Sequence, residues 1–250
     1  MGHYEPRTYR ELFNDKDRFF FNCRIQETDL QIGLGQGLSG ASLMQAEDDT
    51  RALVLNLRRQ IEEYIRAVPE FLTSLAPLAP AIWAPPVVRR MCEASNVVGV
   101  GPMAAVAGVI SEMVGEALTK YSQEVIVENG GDIFLTSTQP RRIGIYAGQS
   151  PLSQKVALMV TPEQTPVGIC TSSGTVGHSL SFGMSDATVI VARSAALADA
   201  VATAAGNRVK TPDDLESVTG FVSGLNGVLG AVIIIGDKLA AWGDIQLVQM

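Results

Sequence analysis

The feature that most constrains the fold of this 250-residue chain is a succession of short β-branched segments that begins after residue 123. Each segment is rich in Val and Ile, and turn-forming residues separate it from the next, which is typical of strands. The segments occupy residues 124–128, 132–137, 142–147, 155–160, 166–171 and 187–192, and AVIIIG, LAAWG and IQLVQ extend the series at the end of the chain. We expect successive antiparallel strands.

Helical periodicity is clearest outside this strand-rich region. From Glu47 to Phe71, apolar residues recur at helical spacing opposite a charged face, and Pro69 is expected to end or kink that helix. Three further helices are predicted: near Val87 to Ala94, from about Pro102 to Tyr121, and from about Ala195 to Ala205. Ser194 and Gly206 are the expected N-cap and C-cap of the last helix. An N-terminal strand pair is predicted at 19–25 and 30–34. Helices grouped with a mostly antiparallel sheet predict an α+β fold. Because no convincing linker interrupts the sequence, we expect a single domain over residues 1–250, with N-terminal strands and helices at 1–122 and a sheet part at 123–250.

Composition and charge exclude several classes of protein. The chain carries 19 Lys and Arg against 26 Asp and Glu, a net charge of -7, and its basic residues form no run longer than a pair, so a nucleic-acid partner is not expected. Its three scattered cysteines fit neither a disulfide framework nor a CxxC metal site and are predicted to be reduced core residues. The longest apolar run is far shorter than the roughly 20 residues of a membrane span, and the first twenty residues lack a secretory-signal pattern. We therefore expect a cytoplasmic protein without membrane contact.

The alanine-rich segment ADAVATAAG contains the clearest metal-binding pattern. Asp199 and Thr203 are four residues apart, so both side chains project from one face of the predicted helix. The alternative is a surface helix that happens to carry two polar residues, but the surrounding alanines indicate a helix buried nearly all round. A carboxylate and a hydroxyl at this spacing suit a hard ion such as Mg²⁺, which commonly bridges to the phosphates of a substrate.

The segment NGGDI, residues 129–133, has two interpretations. Asn-Gly is a standard hairpin signal, so the glycines can simply form a tight turn between two strands. Alternatively, Gly130 and Gly131 expose backbone amides to a phosphate or a ring carbonyl, while Asp132 accepts a hydrogen bond from a base or a sugar. The sequence leaves both open.

The segment CTSSGTVGHSLSFG, residues 170–183, leaves a predicted strand and enters a loop rich in glycine and hydroxyl groups. Such a loop can line a phosphate pocket or be an ordinary surface loop. His178 is the candidate catalytic base within it, although a lone histidine is more often a hydrogen-bonding loop residue. Cys170 has no activating partner in the sequence and is predicted to lie in the core.

Two glycine patterns are similar to dinucleotide-binding fingerprints, and neither has the context that such a site requires. GLGQGLSG at residues 33–40 is not followed by a predicted helix in register. VVGVGPMAA at residues 97–105 has too short an apolar run before it and a proline that removes an amide donor. The antiparallel pattern downstream also disfavours a parallel dinucleotide-binding sheet.

Taken in order, ENGGDIFL, RIGIYAG, GICTSSG and LADAVATA resemble the motifs of the ApbE-like flavin transferases, which move FMN from FAD to a threonine or serine of a protein. GVGPMAAVAGVISEMVGEAL occupies the place of that family's glycine-containing helix. With RIQETDL and VPEFLTSLAP included, nearly the whole chain resembles an uncharacterised conserved branch of the same superfamily. The resemblance implies an ApbE-like fold with the ligand held between its two halves.

The resemblance also implies roles for matching positions. Asp199 and Thr203 match the family's magnesium ligands, and a backbone carbonyl near Ala105 to Gly108 is the implied further ligand. The positions implied at the flavin-nucleotide site, where the TSG-like loop carries one extra serine, are Asn129, Gly130, Gly131, Asp132, Thr171, Ser172, Ser173 and Gly174.

The chain departs from the transferases between that loop and the alanine-rich helix, where TVGHSLSFGMSDA replaces the family's HHIxDPxTG segment. Two main hypotheses therefore stay open. The first is a Mg²⁺-dependent transferase that acts on FAD or a related nucleotide, with a protein as acceptor. The second is a flavin- or nucleotide-binding protein without transfer activity. A third, a subunit that uses its alanine-rich helices only for assembly, predicts no nucleotide affinity, and a homo-oligomer is compatible with all three.

Overall fold

The computed structural model describes residues 18–176 and 181–250. The helices are α1 (Gly40–Ala67), α2 (Glu70–Thr73), α3 (Pro86–Val98), α4 (Val106–Leu118), α5 (Ala195–Gly206) and α6 (Leu215–Ser223). The strands are β1 (Arg18–Ile25), β2 (Thr28–Gly35), β3 (Val125–Asn129), β4 (Asp132–Thr136), β5 (Arg141–Gly144), β6 (Val156–Val160), β7 (Val167–Ser172), β8 (Ala187–Ala192), β9 (Val228–Ile235), β10 (Lys238–Gly243) and β11 (Gln246–Gln249). A short 3-10 turn, Pro102–Ala105, leads directly into α4.

Eight strands form one sheet in the order β1-β2-β3-β4-β7-β8-β9-β10, and every neighbouring pair in it is antiparallel. Strands β5 and β6 leave this sheet and form a second, three-stranded sheet with β11. Their departure makes β4 and β7 neighbours although two strands separate them in sequence. Because β2 pairs with β3, the N-terminal strands belong to the same sheet as the later ones.

The two faces of the large sheet bury different partners, because successive side chains of a strand point to opposite faces. On one face, residues such as Leu30, Val127 and Cys170 pack into a core shared with the helices. On the other face, Ile126 and Ile169 pack into a core shared with the three-stranded sheet. The layers are therefore helices, large sheet and small sheet, in agreement with the predicted α+β class.

Helix α5 lies close to its neighbours because two glycines leave room for its first turn. A Cβ on Gly108 of α4 would lie 2.3 Å from the carbonyl oxygen of Ala195. A Cβ on Gly168 of β7 would lie 2.3 Å from the Cα of Ala195. Neither position admits a side chain without movement of the backbone, so these glycines fix where α5 sits between α4 and the sheet.

Helix α1 begins at Gly40, earlier than the predicted start at Glu47, and Ser39 is its N-cap. The glycine pattern at residues 33–40 therefore does connect a strand to a helix, and the expectation that no helix follows it was wrong. It forms no dinucleotide-binding unit, because the strand before the helix, β2, is antiparallel to its neighbour β3. The pattern at residues 97–105 follows a helix rather than a strand, and Gly99, with φ 74°, is the left-handed C-cap of α3.

Two local predictions require correction, and one helix was not predicted. The first residues of the helix predicted from Pro102 form a 3-10 turn, and α4 proper starts at Val106. Gly206 is the last residue of α5 and Asn207 is its C-cap, so the predicted glycine cap is misplaced by one position. Helix α6 has no counterpart among the predictions, since its β-branched residues and Gly220 are poor helix formers.

Two sequence-based expectations concern the whole chain. All three cysteines are free and buried, as predicted. In the parts of the chain that the structure describes, no single helix is long and apolar enough to cross a membrane, and α3 with Pro102–Leu118 meets that criterion only as a pair bent by 103°.

Candidate functional site

The predicted metal helix, α5, meets the start of α4 through Asp199. The Oδ2 atom of Asp199 accepts a 2.8 Å hydrogen bond from the backbone N–H of Gly108, in the first turn of α4. The first N–H groups of a helix have no partner within that helix, so Asp199 caps α4 from a neighbouring element. Thr203 lies one turn further along α5 and is half-buried.

Two side chains of the large sheet share the surroundings of Asp199. Asp132, the first residue of β4, is buried, and Cys170 of β7 is completely buried. The Cys170 thiol is within hydrogen-bond reach of the Asp132 carboxylate and, at 3.3 Å, of the Ala195 carbonyl oxygen. The structure therefore brings the aspartate of the double-glycine segment close to the aspartate of the alanine-rich helix.

The carboxylates of the buried Asp132 and the half-buried Asp199 repel each other. Burial, followed by the charge of Asp199, raises the pKa of Asp132 well above its usual range. Burial raises the pKa of Asp199 to about 7, although hydrogen bonds from the N–H groups of Gly108 and Ala107 act to lower it. Burial and the two neighbouring carboxylates also raise the pKa of the Cys170 thiol. Cys170 is therefore a protonated core thiol rather than an activated nucleophile.

The double glycine forms a tight hairpin turn. Asn129 ends β3 and pairs with Asp132, so Gly130 and Gly131 are the two residues of the turn. Their φ values of 70° and 100° are favourable only for glycine, as in the two-residue turns that match the twist of a hairpin. The Gly131 N–H donates a 2.7 Å hydrogen bond to the carboxylate of Glu128. The hairpin interpretation is thus correct, and the Gly131 amide is already engaged within the protein rather than open to a phosphate.

Asn129 connects this turn to α4. Its side-chain amide donates a 3.2 Å hydrogen bond to the carbonyl oxygen of Ala107. Asn129 and Asp199 therefore both contact the first turn of α4, one at the Ala107 carbonyl and the other at the Gly108 N–H. Residues 129, 132 and 199 converge on one small region at the end of the sheet.

The hydroxyl-rich loop after β7 starts beside this region. Thr171 lies next to the double-glycine turn, since a Cβ on Gly131 would be 3.9 Å from the Thr171 Cβ. Ser172 lies against the last turn of α5, where a Cβ on Gly206 would be 3.2 Å from the Ser172 hydroxyl. The end of β7 therefore borders both the turn and the alanine-rich helix.

The next two residues of the loop are occupied in holding its shape. The Ser173 hydroxyl accepts a 2.9 Å hydrogen bond from the N–H of Val176. The Gly174 N–H donates a 2.9 Å hydrogen bond to the Ser185 carbonyl oxygen. His178, the candidate base, lies outside the described residues. Two recesses of the described surface, of about 420 Å³ beside α1 and about 570 Å³ beside residues 35–38, contain none of the predicted site residues.

The donors around Asp199 fit a hard divalent cation. Carboxylate oxygens of Asp132 and Asp199, the hydroxyl of Thr203 and the carbonyl of Ala107 are all oxygen ligands, which Mg²⁺ prefers. A cation beside the buried Asp132 and the half-buried Asp199 would also relieve the repulsion between the two carboxylates. Among residues 18–176 and 181–250, no group of three or more His, Cys, Asp and Glu is arranged to hold a metal. An ion such as Mg²⁺ would have to complete its coordination here with water and with phosphate oxygens of a ligand.

Sequence patterns did not reveal Glu112 of α4. Its Oε2 atom accepts hydrogen bonds from the Ser194 hydroxyl at 2.6 Å and from the Ala196 N–H at 3.1 Å, at the start of α5. The one signal in the sequence is its spacing, because Glu112 follows Gly108 by four residues and so lies on the same face of α4. An acidic residue in a helix is usually solvated, so that spacing alone is not diagnostic.

The structure is similar to those of flavin transferases. It aligns with the flavin transferase ApbE from Vibrio cholerae with a TM-score of 0.57 and 13% identity, over 90% of this chain and 96% of that one. The alignment with the apo flavinyl transferase ApbE from Pseudomonas stutzeri has the same TM-score and identity, over 90% and 93% of the two chains. At this identity the likeness establishes the fold alone, and it confirms the predicted ApbE-like fold.

Comparison of sequences identifies the family. The family model described as "AbpE bacteria" matches residues 10–219. A UPF0280 protein from Methanothrix thermoacetophila is 44% identical over 201 residues, which cover 80% of this chain and 84% of the relative. A UPF0280 protein from Methanocella arvoryzae is 45% identical over 191 residues, which cover 76% and 78%. The chain therefore belongs to the UPF0280 family, an uncharacterised ApbE-like branch with the fold of the flavin transferases.

Proposed function

We propose that this protein binds Mg²⁺ and a flavin nucleotide where α4, α5 and the β3-β4 turn meet, and that it transfers the FMN part of FAD, or the equivalent part of a related nucleotide, to a hydroxyl group of an acceptor. The observation that carries the proposal is the convergence of Asn129, Asp132 and Asp199 on the first turn of α4 and its immediate surroundings. Two parts of the chain that are distant in sequence, the β3-β4 turn and α5, supply these polar groups, which are costly to bury unless they are paired.

The chemistry of the donors supports Mg²⁺ as the ion. Asp199 and Thr203 would hold it, with the Ala107 carbonyl and Asp132 as candidate further oxygen ligands. Such an ion supplies charge that neutralises a pyrophosphate and stabilises the leaving nucleotide. The residues of this chain orient and shield the reactants: Asn129 fixes the Ala107 carbonyl, and burial around Cys170 excludes water from the inner side of the site.

The hydroxyl-rich end of β7 supports a nucleotide beside the ion. Thr171 and Ser172 border the turn and the last turn of α5, respectively, and their hydroxyls are suitable partners for phosphate or sugar oxygens. Ser173 and Gly174 hold the loop in shape instead of contacting a ligand. In this arrangement Gly130 and Gly131 contribute by keeping the turn narrow and free of side chains.

The alternative function is binding of a flavin or another nucleotide without transfer. Two observations favour it: TVGHSLSFGMSDA stands where the transferases carry HHIxDPxTG, and Glu128 occupies the Gly131 amide that a phosphate would otherwise use. In that case the same residues hold the ligand and no acceptor is modified.

The experiment that tests the proposal is incubation of the purified protein with FAD, Mg²⁺ and a threonine-bearing acceptor peptide, followed by mass spectrometry for AMP and for an FMN-modified peptide. Asp199→Asn removes the charge of the central carboxylate, and the exposed Asp213→Asn is the matched control with the same chemical change. Omission of Mg²⁺ provides the metal control.

Release of AMP and modification of the peptide, lost in Asp199→Asn but kept in Asp213→Asn, would support transfer. Quenching of flavin fluorescence without AMP would favour the alternative. Absence of both flavin binding and AMP, with Mg²⁺ present, would overturn the proposal in either form.

A further inference from the structure

Helices α4 and α5 cap each other's first turns. Asp199 of α5 accepts the Gly108 N–H of α4, and Glu112 of α4 accepts the Ala196 N–H of α5. Each helix thus supplies the acid that the other helix's unpaired amides need. Because both contacts join the same two helices, a displacement of α5 along α4 lengthens both hydrogen bonds together.

Three hydrogen-bond donors hold the Glu112 carboxylate in place. It is 9% exposed, and its Oε2 atom accepts the Ser194 hydroxyl as well as the Ala196 N–H. Its Oε1 atom accepts a 3.2 Å hydrogen bond from Nη1 of Arg90 in α3. Hydrogen bonds to an ionised acceptor are about twice as strong as neutral ones, so the carboxylate is a firm anchor for the start of α5.

Because α4 and α5 pack tightly here, the position of the first turn of α5 also determines the position of Asp199. Gly108 touches Ala195 with no space for a side chain, and Asp199 follows Ala195 by one helical turn. A shift of the first turn of α5 therefore moves the Asp199 carboxylate as well. Geometry at a binding site is productive only within about 0.5 Å, so a small shift is sufficient to disturb it.

We propose that Glu112 is the positioning residue of the metal site: by fixing the first turn of α5 against α4, it holds Asp199 in the orientation that binds the cation. The role rests on the proposed function, because it takes Asp199 as a metal ligand. Glu112 itself acts through α5 and does not touch the ion.

The test compares Glu112→Gln with two matched controls in the full chain. Glu116→Gln makes the same chemical change on the same helix and at the same partner, since Glu116 accepts a 2.9 Å hydrogen bond from Arg90, and within the described residues its carboxylate bonds to α3 rather than to α5. Val160→Ala, in the core on the other face of the sheet, controls for a general loss of stability. For each variant we would measure hydrogen exchange of the Gly108 amide by NMR without metal, and the Kd for Mn²⁺ by calorimetry.

We expect the Gly108 amide of Glu112→Gln to exchange at least about tenfold faster than in the wild type. The Mn²⁺ affinity of this variant should fall by about tenfold, the lower end of the effect of losing a direct hydrogen-bond partner of a metal ligand, because Glu112 acts on Asp199 through α5. Both controls should keep the wild-type values. Should Glu112→Gln not fold, Ser194→Ala, which removes the hydroxyl between Glu112 and α5, takes its place with the same expectations.

The positioning role is overturned if Glu112→Gln lowers the melting temperature but leaves the Gly108 exchange rate and the Mn²⁺ affinity at the values of Val160→Ala. Failure of the proposed function looks different, because then the wild type itself binds no Mn²⁺. In that case the exchange of the Gly108 amide still decides whether Glu112 holds Asp199 in place.

Discussion

Substitution of Gly108 by alanine should separate α4 from α5 at the candidate metal site. The new Cβ would lie 2.3 Å from the Ala195 carbonyl oxygen and 2.7 Å from the Asp199 Cβ. Since a close carbon-oxygen contact is about 3.3 Å, α5 must retreat by about 1 Å, and the 2.8 Å hydrogen bond between Gly108 and Asp199 is stretched or lost.

The expected cost follows from two opposing effects. Overpacking of a filled interior costs about 1–3 kcal/mol, whereas alanine in place of glycine within a helix gains about 0.5–1 kcal/mol. The net loss of about 1–2 kcal/mol corresponds to a decrease in melting temperature of about 2–8 °C for a chain of this size.

Gly220→Ala in α6 is the matched control, because a Cβ at Gly220 meets nothing within 4 Å. In this variant alanine stabilises the helix relative to glycine and its Cβ meets no other atom, so the melting temperature should rise by about 1–4 °C. Differential scanning calorimetry with and without Mn²⁺ measures both effects, and Gly108→Ala should also lose most of the stabilisation that Mn²⁺ gives the wild type. A Gly108→Ala variant that melts at or above the wild-type temperature would refute the close-approach argument.

Three further predictions concern single groups. Burial acts to raise the pKa of Glu124, but hydrogen bonds from Thr138, Ser137 and Arg18 outweigh it and bring the pKa to about 2. The ionised Glu124 should therefore stabilise the fold fully above about pH 4.5, and this stabilisation should be lost as the pH falls towards 2. Glu124→Gln should accordingly weaken the loss of stability at acid pH, measured as the free energy of unfolding against pH. Asp132→Asn removes a buried carboxylate that the neighbouring Asp199 repels, so without metal the variant should melt above the wild type at pH 8. Mn²⁺ should stabilise this variant less than it stabilises the wild type, and a wild-type response to Mn²⁺ would count against Asp132 as part of the site. Gly131→Ala places a side chain at φ 100°, which should cost about 1–2 kcal/mol and lower the melting temperature by about 2–8 °C in a thermal scan, and an unchanged temperature would contradict the turn geometry.

Local sequence patterns were sufficient for most elements of the fold. The hairpin at Gly130 and Gly131, the N-cap at Ser194 and the β-branched run that forms β8 depend on a few neighbouring residues, and the structure confirms them. The departure of β5 and β6 into a second sheet could not be predicted, because strand pairing between distant segments is set by tertiary packing rather than by the strand pattern itself.

In the candidate site, too, sequence motifs identify some residues, whereas the contacts between them depend on the fold. Asp199 and Asp132 could be singled out from motifs, and the structure places them close enough that the charge of Asp199 raises the pKa of Asp132. The contact of Asp199 with Gly108, the engagement of Gly131 by Glu128 and the cap provided by Glu112 join residues through the three-dimensional packing of α4, α5 and the turn. No spacing in the sequence encodes which acid reaches which amide.

A crystal structure of the protein grown with Mn²⁺ and FAD, with anomalous difference density collected to locate the metal, would show whether Asp199 binds a cation. We expect one strong peak in coordination contact with the Asp199 carboxylate and near Asp132, with the pyrophosphate of the nucleotide on its open side. A metal peak bound elsewhere, or a flavin bound with no metal beside Asp199, would contradict it.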